Sequence, residues 1–160
     1  MSGEAERIVR ELELAPHPEG GFYREVFRSP HAVVDARGRT RSALTVIYYL
    51  LGSDDVSAWH RLASDETWHF ARGSRLEIAA LYASGGCAVS SLGPEGPYVA
   101  TIPAGRPFAA RVFGADAFAL VTCCVAPGFE FDDFELLDPD ELRRENPGSE
   151  GIIAKFLRDA

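Results

Sequence analysis

Residues 57–73 read Ser57-Ala58-Trp59-His60-Arg61-Leu62-Ala63-Ser64-Asp65-Glu66-Thr67-Trp68-His69-Phe70-Ala71-Arg72-Gly73. Two runs inside this stretch, Ser57–Arg61 and Thr67–Ala71, have strand character. Side chains on a strand alternate between its faces, so an unbroken second run sends Glu66, Trp68 and Phe70 to one side and Thr67 and His69 to the other. A bulge would reverse that assignment. A carboxyl group sharing its face with two aromatic rings reads as the polar element of a pocket walled by Trp68 and Phe70.

Runs of the same kind recur on both sides. They fall near Phe22–Ser29, Ala43–Leu51, Leu76–Tyr82 and Ala88–Leu92, and then near Tyr98–Ile102, Phe108–Phe113, Phe118–Val125 and Phe131–Leu136. Turn chemistry separates them at Asp35–Gly38, Gly52–Asp55, Arg72-Gly73, Ser84–Gly86 and Gly93–Pro97. About ten short strands at even spacing, with few helices between them, favour a sandwich or jelly-roll over a parallel sheet with crossover helices. Residues 4–14 read as a helix with Ile8 and Leu12 on one face, stopped by Pro16 and Pro18. Two more helical pieces close the chain, near Pro139–Arg144 and Glu150–Arg158, the second burying Ile152, Ile153, Phe156 and Leu157. No linker, repeat or low-complexity segment divides residues 1–160, so one domain is expected.

The charge is −8, and no stretch gathers Lys and Arg into a phosphate-binding footprint, so nucleic acid is not an expected partner. The apolar runs at Leu44–Leu51 and Phe118–Val125 have strand length, well short of the roughly 20 residues that cross a bilayer, so no membrane segment is expected. The opening residues lack the pattern of a secretory signal, which makes the cytoplasm the expected compartment. Cys87, Cys123 and Cys124 show no metal-binding or disulfide spacing and read as small hydrophobes.

His60, Glu66 and Gly73 stand at the offsets of the first cupin motif, a His-x-His pair followed by a Glu and then a Gly. Pro103-Ala104-Gly105-Arg106-Pro107-Phe108 resembles the second motif, Pro-x-Gly followed by two residues and a His. With His17-Pro18-Glu19-Gly20-Gly21-Phe22-Tyr23, Ser64–Phe70 and Val125–Phe129, the chain resembles the small cupin-5 family from about residue 12 to 157. The resemblance implies an all-β fold, the double-stranded β-helix or jelly-roll barrel, with short helices at both ends. In metal-dependent cupins both motif-1 histidines, the Glu and the motif-2 His hold the ion. Leu62 and Phe108 occupy two of those positions here, so neither metal nor other cofactor is expected unless His69, His17 or a substrate group completes the shell.

Without a metal, His60 and Glu66 form a candidate proton-transfer pair, similar to that of metal-free sugar epimerases of the superfamily. On this reading His60 is the base, Glu66 its orienting or proton-accepting partner, and Tyr23 or Tyr48 a donor. The two are expected within hydrogen-bonding reach or one water apart. The glycines of residues 17–23 permit a tight turn that brings Glu19 and Tyr23 to the barrel mouth. Trp68, Phe70 and Phe108 wall the pocket, Arg24 and Arg28 read as surface ion pairs, and Phe131 and Phe134 as packing anchors. The preferred function is an isomerase, epimerase or lyase acting on a small polar or carbohydrate-like metabolite. A non-catalytic ligand-binding module and a metal-dependent oxygenase are the alternatives. Exposed sheet edges and the outward face of Thr67–Ala71 point to a homodimer.

Overall fold

The computed structural model describes residues 3–157. Thirteen strands occur among them: β1 (Ala15–Pro16), β2 (Phe22–Arg28), β3 (Ala32–Val34), β4 (Thr40–Ser42), β5 (Thr45–Gly52), β6 (Val56–Leu62), β7 (Asp65–Gly73), β8 (Leu76–Leu81), β9 (Cys87–Leu92), β10 (Val99–Ile102), β11 (Phe108–Val112), β12 (Phe118–Ala126) and β13 (Phe134–Leu136). Helix α1 (Gly3–Glu11) precedes them, a 3₁₀ turn (Phe131–Asp133) leads into β13, and α2 (Pro139–Glu145) and α3 (Glu150–Lys155) follow. The strands beyond the ten foreseen are mainly short pairings, β1 and the β3–β4 hairpin. The end of the last helical expectation, at residue 158, lies outside the described residues.

One sheet has the order β1-β2-β5-β12-β7-β10 and the other β13-β6-β11-β8-β9, with every pair antiparallel. The sheets are not closed into a barrel by a continuous ladder, but they face each other in the jelly-roll manner. Their inner faces share one core, with Tyr49, Trp68, Val121 and Cys123 from the first sheet meeting Ile78, Phe108 and Val112 from the second. The period-2 alternation of β5 and β12 produces this arrangement. Tyr49, Leu51, Val121 and Cys123 turn inward, while Leu50, Phe118 and Leu120 turn outward onto Ala5, Ile8 and Leu14 around α1.

The outer face of the second sheet is covered by the C-terminal helices. Trp59, Ala79, Leu81 and Ala109 pack against Leu142, Ile153 and Phe156, and the Trp59 indole donates to the Ile153 carbonyl at 3.2 Å. Helix α2 starts where Asp138 accepts from the Asp140 and Glu141 amides ahead of Pro139, a residue suited to the first helical position. No helix among the described residues is long and apolar enough to cross a membrane.

Gly73 ends β7 with φ +105°, and a Cβ there would lie 2.2 Å from the Phe118 carbonyl oxygen. The close passage of β12 over this corner therefore requires glycine. Gly73→Ala is expected to lose about 2 kcal/mol or more in chemical denaturation, against about 1 kcal/mol for Gly38→Ala, which is also in the left-handed region but faces open space. Equal losses at the two sites would show that the Phe118 contact is unimportant.

Candidate functional site

β6 pairs with β11 at Phe108↔His60 and at Ala110↔Ser57, so three steps along β6 answer two along β11. The extra residue makes a β-bulge around Ala58–Trp59. In a regular strand Ser57 and His60 would face opposite sides. The bulge turns both inward and leaves Trp59 facing the C-terminal helices. It also frees the Ala58 peptide groups: the N–H donates to the Glu19 carbonyl at 2.9 Å, and the carbonyl lies 2.7 Å from His60 Nδ1.

Opposite the bulge, residues 17–21 fold into a turn in which the Gly20 amide donates to the His17 carbonyl and the His17 amide to the Gly21 carbonyl, both at 3.0 Å. Gly21 has φ +69°, and a Cβ there would approach the Leu50 carbonyl to 2.6 Å. The buried Tyr49 hydroxyl donates to the Gly20 carbonyl at 2.8 Å and ties the turn to β5. Glu19 is thereby presented to the bulge. Ser57 Oγ donates to Glu19 Oε1 at 2.8 Å, and His60 Nε2 lies 3.3 Å from Glu19 Oε2.

A carbonyl only accepts, so His60 Nδ1 carries the hydrogen directed at Ala58, and Nε2 faces the Glu19 carboxyl group. His17 Nδ1 accepts the Glu19 amide at 3.3 Å and is 3.7 Å from Glu19 Oε2. Burial is the main force holding the His17 pKa below the ordinary imidazole value; Glu19 opposes this and His60 reinforces it.

Glu66 enters from β7, 6% exposed. Burial first, and then the Glu19 charge, pushes its carboxyl up to about 8, with Cys123 and Trp68 pulling weakly the other way. Burial and Glu66 in turn raise the Cys123 thiol, and burial and Glu19 raise the Tyr49 hydroxyl, so both stay protonated at neutral pH. The Trp68 indole N–H is buried beside Glu66, near enough to lower its pKa slightly but without a well-formed hydrogen bond.

Together these groups line a cavity of about 140 Å³, with Tyr23, Phe129, Phe131 and Phe134 as further aromatic walls. The segment 129–134 over the cavity is held by ion pairs: Arg28 binds Glu130 at 2.7 Å, and Arg39 and Arg41 both clasp Asp133.

The structure brings His60, Glu66, Glu19, Tyr23 and Trp68 into one cavity. Phe108 lies behind it, its ring 4.0 Å from that of His60. Phe70 packs against the shared core and does not line the cavity. Tyr48 faces outward toward the α1 cluster, and of the two adjacent β5 tyrosines it is Tyr49 that reaches the cavity. No hydrogen bond joins His60 to Glu66 among the described residues; the imidazole's carboxylate partner is Glu19. Tyr49, Ser57 and Cys123 line or support the cavity and were not singled out by sequence reasoning, whereas His17, considered there only as a possible metal ligand, stands beside Glu19. The inward parity of Cys123 could have been found from the register of β12 against β7, since Cys123 pairs with Trp68.

The description of Cupin_5, cupin superfamily (DUF985), matches residues 6–137. The chain belongs to the Cupin_5 family. A hypothetical protein from Leishmania major superposes on this Cupin_5 chain with a TM-score of 0.89 at 32% identity, covering 99% of this chain and 100% of the other. A protein from Shewanella oneidensis does so with 0.85 at 35% identity, covering 98% of each. Oxalate decarboxylase from Bacillus subtilis shares the fold at a TM-score of 0.58 and 17% identity, over 88% of this chain and 34% of the enzyme. No curated protein matches. As for the metal of other cupins, Leu62 and Phe108 offer no donor, and no group of three or more His, Cys, Asp and Glu among the described residues is arranged to hold an ion. The residues do not fit such a site.

Glu66 titrates at an ordinary value of 4.5 in the unfolded chain and at about 8 in the folded one. Between these limits the folded state holds the extra proton, so stability from this group is complete below the lower value and is lost as pH rises to the upper. Urea denaturation should show stability falling over that window by up to about 1.4 kcal/mol per pH unit. The slope should flatten in Glu66→Gln. A slope that persists in the variant would assign it to another group.

Proposed function

We propose that this Cupin_5 chain is an acid–base enzyme, an isomerase, epimerase or lyase acting on a small polar metabolite. The observation that carries the reading is the division of labour between two buried carboxyl groups in one cavity. Glu19 is paired with an imidazole, and Glu66 is held neutral up to about 8. A neutral acid and a charged base side by side are what proton transfer at a carbon next to a carbonyl requires. Because both His60 nitrogens face partners, the Ala58 carbonyl and Glu19, the base is Glu19 and His60 positions it. Glu66 donates to the developing oxyanion, and Tyr23 lines the approach.

Non-catalytic ligand binding is the second reading, favoured by that same engagement of His60. Transfer of solvent deuterium into a panel of small carbonyl metabolites separates the two. Exchange is expected with the wild type and should fall by about 100-fold or more in Glu19→Gln, as for loss of a general base. His60→Gln should cut the rate while leaving ligand affinity nearly intact. Specific binding without exchange would support the second reading.

We propose further that the chain is a cytoplasmic homodimer. Its three cysteines are free thiols, as in reducing compartments. Along the outer face of the first sheet, Val99 is 51% exposed and the buried His69 Nδ1 lacks a partner. Light scattering at tens of micromolar should give twice the 17.4 kDa chain mass, and a monomeric mass would overturn the assembly.

A further inference from the structure

The charges around the cavity also select its ligand, an inference that rests on the acid–base reading above. Arg28 is the sole arginine or lysine among the described residues lining the cavity, and it is already committed. Its Nε and Nη2 donate to Glu25 at 3.0 and 2.8 Å, Nη1 to Glu130 at 2.7 Å, and Nη2 also to the Phe129 carbonyl at 3.1 Å. The His60 imidazole is spoken for by Ala58 and Glu19. A carboxylate or phosphate entering the cavity would meet the Glu19 carboxylate. Arg28 is already bound to Glu25 and Glu130, and burial holds the His17 imidazole toward its neutral form. No uncommitted cation among the described residues lining the cavity therefore answers it, and burying an unpaired charge is strongly unfavourable.

A second, independent feature points to what does enter. Trp68 is 1% exposed and its Nε1–H, which can only donate, makes no well-formed hydrogen bond, its neighbouring acceptor being the Glu66 carboxyl group. Buried N–H groups are almost always well paired, so a poorly satisfied donor beside Glu66 in the wall of a cavity offers a place for a ligand acceptor. Size narrows the class further. The volume of about 140 Å³ is close to that of an engineered cavity elsewhere that takes benzene, so the cavity holds a group of about six to eight non-hydrogen atoms.

We propose that the substrate is a compact, uncharged carbonyl compound whose oxygen is held by Trp68 Nε1–H beside the Glu66 carboxyl group. Glu19 takes the proton from the carbon next to that carbonyl. The C–H electron pair becomes a C=C bond, and the C=O pair moves to oxygen, which Trp68 and the Glu66 O–H receive. Reprotonation at the same carbon exchanges or inverts it. In an α-hydroxy carbonyl, Glu19 can instead return the proton to the former carbonyl carbon while the neighbouring hydroxyl gives its proton to the Glu66 carboxylate and becomes the new C=O, which yields the isomer. No oxidant, reductant or co-reactant is needed.

The test follows enzyme-dependent deuterium incorporation from D₂O by proton NMR. Hydroxyacetone, dihydroxyacetone and glyceraldehyde are compared with pyruvate and hydroxypyruvate, anions of similar size. Exchange with the neutral set should be at least tenfold faster, and Trp68→Phe should lower it about tenfold. In the wild type, hydroxyacetone should also shift the Trp68 indole ¹H–¹⁵N resonance and leave that of Trp59 in place, a readout that needs no variant to fold. Exchange confined to the acids would keep the acid–base reading and overturn the charge selection. Saturation-transfer binding of the neutral compounds without exchange would overturn the acid–base reading while charge selection stands. An unmoved Trp68 resonance, or a fully active and folded Trp68→Phe, would remove the indole from the site. Neither exchange nor binding with any compound would overturn both.

Discussion

The site depends on the peptide groups of Ala58. Displaced from the ladder by the bulge in β6, they do not go unpaired: one carries the chain of Glu19 and the other the ring of His60. A single irregular residue thus fixes both members of the ion pair from the backbone, the stiffest support a protein has. Buried polar groups are tolerated only when satisfied, and in a low dielectric a satisfied network is also a rigid one. Ser57, turned inward by the same bulge, completes the hold by donating to the other Glu19 oxygen.

The rest of the cavity follows from how unequally its two acids are treated. Glu19 has Ser57, His60 and the edge of His17 around it, groups that can stabilise a negative charge. Glu66 has an indole, a thiol and a second carboxylate for company, and none of these offsets the loss of water. The aromatic walls sharpen the contrast by excluding solvent from both. Such an arrangement does little for stability, since one carboxyl is held in the form that the unfolded chain abandons at lower pH.

Much of this could be read in advance where a face was anchored by pattern. The alternation through Glu66 and Trp68 placed both inside, the cupin-like offsets pointed to His60, and the glycines of residues 17–23 announced a turn that would carry Glu19 and Tyr23 inward. What stayed hidden has physical causes. Ser57 and His60 are three apart, and only a bulge, which leaves no residue signature here, can put them on one side. In the uniformly apolar run of β5, periodicity cannot choose between Tyr48 and Tyr49; the choice is made by α1 covering the other face. A further bulge in β7 falls between the partners of Leu120 and Val121, near Phe70, which packs in the core away from the cavity. The partner of His60 was missed because Glu19 is 41 residues away in the chain and reaches it through a turn (60 − 19).

Trp59, the outward residue of the bulge, is clamped from behind by Phe156 and by the Ile153 carbonyl of α3. The far end of the polypeptide therefore presses on the back of the strand whose front carries His60. Substitutions in that helix, remote from the cavity, would reach His60 and Glu19 as small changes of angle and distance. Such a lever allows the cavity to be reshaped while every residue that lines it is kept.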